Sequence, residues 1–518
     1  MLLELEVGRI VEPLRGRCLE PQEILRRSAR RMNLLRERGL QAGDRVFLHH
    51  GNTAEFFVDL LAVWGLGGCA VPIDPRLTPF ELETLARCAA PRLALRDATP
   101  DGTAAERLSA LGIPAVTSGE EAPGPGAAPA GSGPAMRLDQ DALVLFTSGS
   151  TGQPKGVVHT HRSLRAQWMN LRAHLGLGAF RRTLCLLPTH FGHGLICNSL
   201  FPWLSGRDLY LVPPFRPELL TQLGALLDEH RITFMSSVPA LWKVALKTAR
   251  PPRARSLARV FCGSAPLSAE LWKAIGEWTG APEVGNVYGI TETASWLAGA
   301  VAPPASAGDG LVGLPWGTLV KVLARRDTAV PLDPAHECRR GQPGYIWVNT
   351  PALMKGYLGR EDLTGQVVSQ GWFLTGDIGV IEEGGLLVLR GREREEINRG
   401  GTKVYPGDVD AVVERFEGTL DTCTFGYQDP VHGESVGIAV VLRSDEPETL
   451  AGLHRWAAHH LARHQMPARW YSLSEIPRTS RGKVNRAAVA AACATRRPID
   501  FRSRPRAERD AEPTSTRA

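Results

Sequence analysis

The chain has 518 residues, 43% of them hydrophobic and 22% charged, with a formal net charge of +6. That length exceeds a single ordinary core and predicts two to four domains of a soluble globular protein. The mild positive charge is scattered rather than gathered into a stripe, which excludes a nucleic-acid-binding surface.

The nine cysteines contain no C-x-x-C pair, which excludes a zinc ribbon, a thioredoxin-like motif and a small disulfide scaffold. A reduced interior fits, and the expected location is cytoplasmic. The N-terminus "MLLELEVGRIVEPLRGRC" has no basic lead-in and makes a poor signal peptide. The longest nearly apolar stretch, "LLAVWGLGGCAVPI", is shorter than the ~18 residues of a membrane span, so none is expected.

In chain order, residues 22–40 read as an amphipathic helix closed by Gly39, "DRVFLHH" as a strand, 53–68 as a helix, "CAVPIDP" as a strand and 79–90 as a helix. The alternation returns at 183–188, 193–205, 207–213, 216–230, 232–236 and 258–262. Such a rhythm predicts a parallel sheet covered by helices on both faces. Residues 117–136 are rich in Pro, Gly and Ala and read as a connector.

Beyond about residue 310 the strands shorten: "LVKVLA", "GYIWVN", "WFLTGDIGVI" and "GLLVLRG" read as an antiparallel or barrel-like unit. A compact α/β segment follows to about 495, with "VDAVVERF", a strand near 437–443 and a helix over 448–464. The charged, aromatic-poor residues 496–518 read as a disordered tail.

The stretch "FTSGSTGQPKGVVHTH" (146–161) follows the apolar run "DALVLF". Gly149 and Gly152 let a backbone approach an anion, hydroxyls and N–H groups can donate to phosphate oxygens, and Lys155 adds charge. It is not a Walker A loop, because Lys155 lies between Pro154 and Gly156 rather than before Ser or Thr. "NVYGITET" (286–293) offers a flat ring at Tyr288, a hydroxyl at Thr291 and a carboxylate at Glu292 suited to Mg²⁺. "FLTGDIG" (373–379) sets Asp377 in a tight turn, where it can accept from ribose hydroxyls. "GREREEINRGGTK" (391–403) and "IPRTSRGKVNR" (476–486) are basic, glycine-containing turns. Each alone is also an ordinary turn.

Taken in order, together with "GGCAVPIDPRLTP" and "FCGSAPLS", these stretches resemble the motifs of the adenylate-forming superfamily: acyl-CoA synthetases, aryl acid ligases, luciferases and peptide-synthetase adenylation domains. The resemblance spans about residues 40–490. It implies an α/β fold whose large N-terminal AMP-binding domain (1–393) holds two α/β subdomains and a distorted β-barrel (about 310–390). A small mobile α+β domain (394–495) would carry a catalytic lysine.

The resemblance further implies that ATP and a carboxylic acid form an acyl-AMP with release of pyrophosphate, after which the acyl group passes to a thiol. Thr147, Ser148, Gly149, Ser150, Thr151, Gly152 and Lys155 would hold the β- and γ-phosphates. Thr291 would contact the α-phosphate and Glu292 would bind Mg²⁺. Tyr288 would stack on adenine beside Gly263, Ser264 and Ala265, and Asp377 and Arg392 would hold the ribose. Lys483 would bridge carboxylate and phosphate in the first step. Arg394 would be the hinge, where relatives usually carry Asp or Lys. Gly289, Gly400, Gly401, Phe191 and His193 would line the acyl pocket or the thiol tunnel.

"LPTHFGHGL" has Phe191 where relatives often place His, and Gly192 where amino-acid-activating domains place Asp. A standard α-amino acid substrate is therefore disfavoured. Coenzyme A is the expected acceptor, since no carrier domain follows the C-terminal unit. A separate acyl carrier protein and its phosphopantetheinyl arm, an amine acceptor, and a nucleotide-binding relative without ligase activity are the alternatives.

Overall fold

The computed structural model describes residues 6–97, 103–120, 137–147, 154–214, 217–302, 308–324, 334–399, 402–429, 433–444, 446–479, 483–499 and 501. The chain divides into two compact units, Met1–Thr375 with Val380–Val388, and Gly376–Gly379 with Leu389–Ala518. Most of the expected connector at 117–136 and most of the expected tail at 496–518 lie outside the described residues, while Ile499 and Phe501 pack against the core of the smaller unit.

The larger unit contains two sheets. In the first, the strands Ile10–Glu12, Asp208–Leu211, Arg182–Cys185, Phe234–Ser237, Arg259–Gly263 and Glu283–Ile290 are neighbours in that order, all parallel. Helices such as Pro239–Thr248 and Ala269–Thr279 connect them, as right-handed crossovers between parallel strands require. The antiparallel strands read from residue 310 onward are continuous with this sheet: Ser295–Ala302 pairs with Glu283–Ile290 on one side and with Leu311–Pro315 on the other.

The second sheet has seven strands. Arg45–His49 lies between Cys69–Pro72 and Leu93–Arg96, all parallel, and the antiparallel pair Asp141–Thr147 and Lys155–Thr160 extends it. The helix Ala54–Gly65 is buried almost all round, as a helix apolar on nearly every face must be. It also carries Asp59, which is fully buried because Arg31 Nε approaches it to 2.7 Å and His50 Nε2 to 2.9 Å.

Two helical readings need correction. The helix expected over 193–205 is a π-helix from His193 to Leu200 followed by the short α-helix Phe201–Trp203. A Cβ at Gly194 would lie 2.3 Å from the Pro188 carbonyl, so the chain there is pressed against backbone that only glycine accommodates. The helix expected over 216–230 is divided into Pro217–Thr221 and Leu223–Glu229, with Gln222 out of helical geometry. The helix expected over 79–90 forms as Pro79–Ala89, closed at its start by a capping box between Thr78 and Glu81.

The smaller unit has a five-stranded sheet. Gly433–Leu442 is central, pairing with Thr419–Asp429, Ile397–Arg399 and Arg469–Ser472. Val409 and Val413 of the helix Pro406–Glu414 and Leu453 of the helix Pro447–His460 pack with Ile438 and Trp470 into its core. The helix Arg486–Ala494 closes a second cluster around Cys423, Phe425 and Tyr471.

Candidate active site

Thr147 and Lys155 face each other across the hairpin that frames the phosphate-type loop. Ser148, Gly149, Ser150, Thr151 and Gly152 lie outside the described residues. The buried runs "ALVLF" and "GVVH" account for the two strands, since residues with β propensity on both sides fill the sheet. The strand Gly356–Tyr357 pairs antiparallel with the Lys155 strand, matching Tyr357 with Val157. Lys155 Nζ then lies 5.0 Å from the centroid of the Tyr357 ring, within cation–π range.

Tyr357 connects this edge to the second motif. Its hydroxyl donates to Glu292 Oε1 over 2.8 Å. The Met354 N–H donates to the Glu292 carbonyl over 2.7 Å. His159, fully buried, donates from Nε2 to the Thr291 carbonyl over 2.7 Å and accepts the Ser163 hydroxyl at Nδ1 over 3.2 Å. Burial pushes the pKa of His159 down to about 4, so its ring is neutral and the donor at Nε2 is permanent near neutral pH. Thr291 and Glu292 are thus held through backbone and side chain by residues 132 and 65 positions away.

Thr291, Glu292 and Thr293 form a 3-10 turn at the carboxyl end of the strand Glu283–Ile290. Ala294 and Ser295 follow with φ of 54° and 80°, left-handed backbone that is uncommon outside glycine. Gly289 is required by close approach, because a Cβ there would lie 2.0 Å from the Ser295 carbonyl. Tyr288 is 6% exposed. Gly263 ends the adjacent strand, and a Cβ there would lie 2.5 Å from the Val287 carbonyl. Ser264 follows, exposed and at φ 65°. The crevice beyond the carboxyl ends of parallel strands, where these residues gather, is the usual ligand position in open α/β sheets.

His193 joins the same rim: Nδ1 lies 2.8 Å from Ser264 Oγ and Nε2 lies 2.6 Å from Ser236 Oγ. Phe191 is half-buried and its ring centroid is 4.5 Å from that of His190. His190 Nε2 in turn is 3.5 Å from Asp74 Oδ2.

In the smaller unit, Arg392 Nε forms an ion pair with Asp377 Oδ1 at 2.9 Å, and Asp377 is buried. The two ribose candidates, separated in sequence, therefore meet. Arg394 lies in the 3-10 turn Glu393–Glu395. Lys483 is exposed, at the base of a turn tied by Thr479 N–H to Lys483 O (2.8 Å) and by the pairing of Arg478 with Val484. Gly400 and Gly401 lie outside the described residues.

Arg486, three positions after Lys483, anchors that segment. It bonds Glu395 at 2.8 Å, Asp410 at 2.7 Å and the Thr424 carbonyl at 2.7 Å.

Among the described residues no group of three or more His, Cys, Asp or Glu could hold a metal ion. Mg²⁺ in nucleotide sites is held by one or two carboxylates plus substrate phosphates and water, so a single Glu292 fits that manner of binding. All nine cysteines are free thiols. Among the described residues no helix is long and apolar enough to cross a membrane.

Residues 20–358 match the model of the family described as AMP-binding enzyme. The chain belongs to that family of adenylate-forming enzymes. It falls among its AMP-forming acid–thiol ligases. It is 29% identical over 461 residues to the sulfoacetate–CoA ligase of Cupriavidus necator, covering 86% of this chain and 87% of that one. It is 30% identical over 488 residues to a feruloyl-CoA synthase of an Amycolatopsis species, covering 90% and 93%. The ATP-bound structure of MatB from Rhodopseudomonas palustris superposes with a TM-score of 0.82 at 25% identity, covering 95% of this chain and 97% of that one. The family fold, a large N-terminal α/β domain with a small C-terminal α+β domain, is the fold of this chain.

The motif reading of this adenylate-forming chain missed several residues. Tyr357, His159, Ser236 and Trp296 reach the site only through tertiary contacts. His159 lies inside the quoted loop motif, where a histidine directly after the apolar pair in "VVHT" was a usable signal. Tyr357 belongs to a two-residue strand, too short to leave a period in the sequence.

Proposed function

We propose that the chain activates a carboxylic acid with ATP, forming an acyl-AMP and pyrophosphate, and then transfers the acyl group to the thiol of coenzyme A. The observation that carries this reading is the junction of Lys155, Tyr357 and Glu292. A cation beside the phosphate-loop hairpin and the carboxylate of the Thr291–Glu292 turn share one tyrosine. An anion must attack a polyanion in the first step, and cations and donors already in position supply what water cannot.

On this reading Thr147, Lys155 and the intervening loop hold the leaving pyrophosphate, Thr291 meets the α-phosphate, and Glu292 holds Mg²⁺ with the phosphates. Bound Mg²⁺ neutralises charge on the phosphate oxygens. Tyr288, Gly263, Ser264 and Ala265 take the base. Asp377, oriented by Arg392, accepts from the ribose. Lys483 supplies charge to the incoming carboxylate, and Arg394 is the point about which the smaller unit turns between half-reactions. Gly289, Phe191 and His193 line the acyl pocket or the thiol path. The relatives named above act on different acids, sulfoacetate and ferulate, so they support the reaction type and not one acid.

The test is ATP–pyrophosphate exchange over a panel of carboxylic acids, followed by addition of coenzyme A and detection of thioester. Exchange with at least one acid and thioester on adding coenzyme A is expected. Exchange without thioester would move the second half-reaction to a carrier protein or an amine. No exchange with any acid would overturn the reading.

A further inference from the structure

Glu395 ends the 3-10 turn that contains Arg394, and its carboxylate reaches Arg486, the first residue of the helix Arg486–Ala494. The two residues are 91 positions apart, and Arg486 Nε donates to Glu395 Oε2 over 2.8 Å. Both belong to the smaller unit, as do Arg392, Arg394 and Lys483.

Each end of this contact is tied to a residue that the ligase reading uses. On the Glu395 side, the Glu396 N–H donates to the Arg392 carbonyl over 3.1 Å and to the Glu393 carbonyl over 3.3 Å. These bonds close the backbone across Arg394, and Arg392 holds Asp377 at 2.9 Å. On the Arg486 side, Lys483 stands three residues earlier in a stretch with little slack. Its carbonyl accepts from the Thr479 N–H over 2.8 Å, Val484 pairs with Arg478, and the Asn485 N–H donates to the Pro477 carbonyl over 2.9 Å. The Asn485 side chain accepts from the Ala488 N–H over 3.1 Å, a cap that fixes the first turn of the helix. The Lys483 backbone therefore follows Arg486 as one piece.

The remaining contacts of Arg486 differ in kind. Asp410 lies in the helix Pro406–Glu414 and Thr424 in the strand Thr419–Asp429. They seat the arginine in the body of the unit, whereas Glu395 connects it to the turn. Without that contact the connection from turn to lysine runs the longer way, through Ile397–Arg399, Gly433–Leu442 and Thr419–Asp429. A lysine that must meet a carboxylate and a phosphate together has to stand in one place, and a displacement of about 1 Å can cost about 100-fold in rate.

We infer that Glu395 is a positioning residue for the first half-reaction: through Arg486 it fixes where the Lys483 segment stands relative to the Arg394 turn. This rests on the acid-ligase reading above and on the roles given there to Lys483 and Arg394.

The experiment compares the native chain with Glu395→Ala, Glu395→Gln and Asp410→Asn. ATP–pyrophosphate exchange with the best acid of the panel reads the first half-reaction, and thioester formation from a supplied acyl-adenylate reads the second. Glu395→Ala is expected to lower kcat for exchange roughly tenfold or more, with the KM of ATP and of the acid and the second half-reaction close to native. Glu395→Gln keeps a neutral acceptor for Arg486 and should fall between the two. Asp410→Asn loosens the seat of the arginine without altering the turn, so it should lower the melting temperature and leave the ratio of the two half-reactions unchanged. Equal loss in both half-reactions, native exchange in Glu395→Ala, or a ratio altered as much by Asp410→Asn overturns the inference and leaves the ligase reading standing. No exchange by the native chain with any acid removes both. If Glu395→Ala does not fold, a loss in Glu395→Gln confined to exchange supports the inference and no loss overturns it.

Discussion

The Tyr357 hydroxyl and Glu292 Oε1, 65 residues apart, are joined by a hydrogen bond of 2.8 Å. The same ring receives Lys155 Nζ at 5.0 Å from its centroid. One phenol thus orients a carboxylate and carries a cation on its face, and removing only its oxygen separates the two roles.

Tyr357→Phe keeps the ring for Lys155 and removes the donor to Glu292. A hydrogen bond to a charged group contributes about 1.5–3 kcal/mol, so exchange should fall roughly 10-fold to 100-fold in kcat/KM for ATP, and the Mg²⁺ requirement should rise. Steady-state exchange at several Mg²⁺ concentrations checks this. Unchanged kinetics would mean that Glu292 needs no help from Tyr357.

Lys483→Ala should abolish acyl-AMP formation while leaving thioester formation from a supplied acyl-adenylate largely intact. Losing one such charged contact typically costs about 10²–10³ in rate. The two half-reactions are measured separately, by exchange and by the loss of free thiol as thioester forms. Equal loss in both halves would contradict separate roles for the two steps.

His50 predicts a pH dependence of stability. Burial lowers the pKa of its imidazole, but hydrogen bonds to Asp59 at 2.9 Å and Asp97 at 2.8 Å outweigh this and push it up to about 9. An unfolded histidine titrates near 6.5. The charged ring therefore contributes its full stabilisation below about pH 6.5 and loses it as pH rises through about 9. Melting temperatures of the native chain and of His50→Gln should differ most at pH 6 and converge toward pH 10. A constant gap across that range would contradict a charged His50.

Arg486→Ala should destabilise the smaller unit more than Arg486→Lys does. The arginine satisfies Glu395, Asp410 and the Thr424 carbonyl at once. A hydrogen bond to a charged group contributes about 1.5–3 kcal/mol, and this group is half-buried, with the Glu395 side chain 39% exposed, so a loss of that order is expected. Urea unfolding followed by the fluorescence of Trp456 and Trp470 in that unit reads the change. A midpoint equal to that of the native chain would show that these contacts carry no net stability.

The chemistry-bearing stretches were legible because each is contiguous. A phosphate loop or a strand-end turn draws its donors from neighbouring residues, so Thr147, Lys155, Thr291, Glu292 and Asp377 stand out as types at fixed spacing. The alternation of strands and helices was legible for the same local reason. The break at Gln222 and the π-helix at His193 were not, because both depart from regular helix geometry, at His193 where Gly194 is pressed against the Pro188 carbonyl.

By itself the sequence determined the family, the order of the motifs and the kinds of side chain proposed to meet a nucleotide. Only the tertiary structure decided which partners hold them: His159 on the Thr291 carbonyl, Tyr357 on Glu292, Arg392 on Asp377, and the two serines on His193. The physical reason is range. Propensity and turn chemistry act over a few residues, whereas these hydrogen bonds and the ion pair close only after sheet registers bring distant segments within about 3 Å.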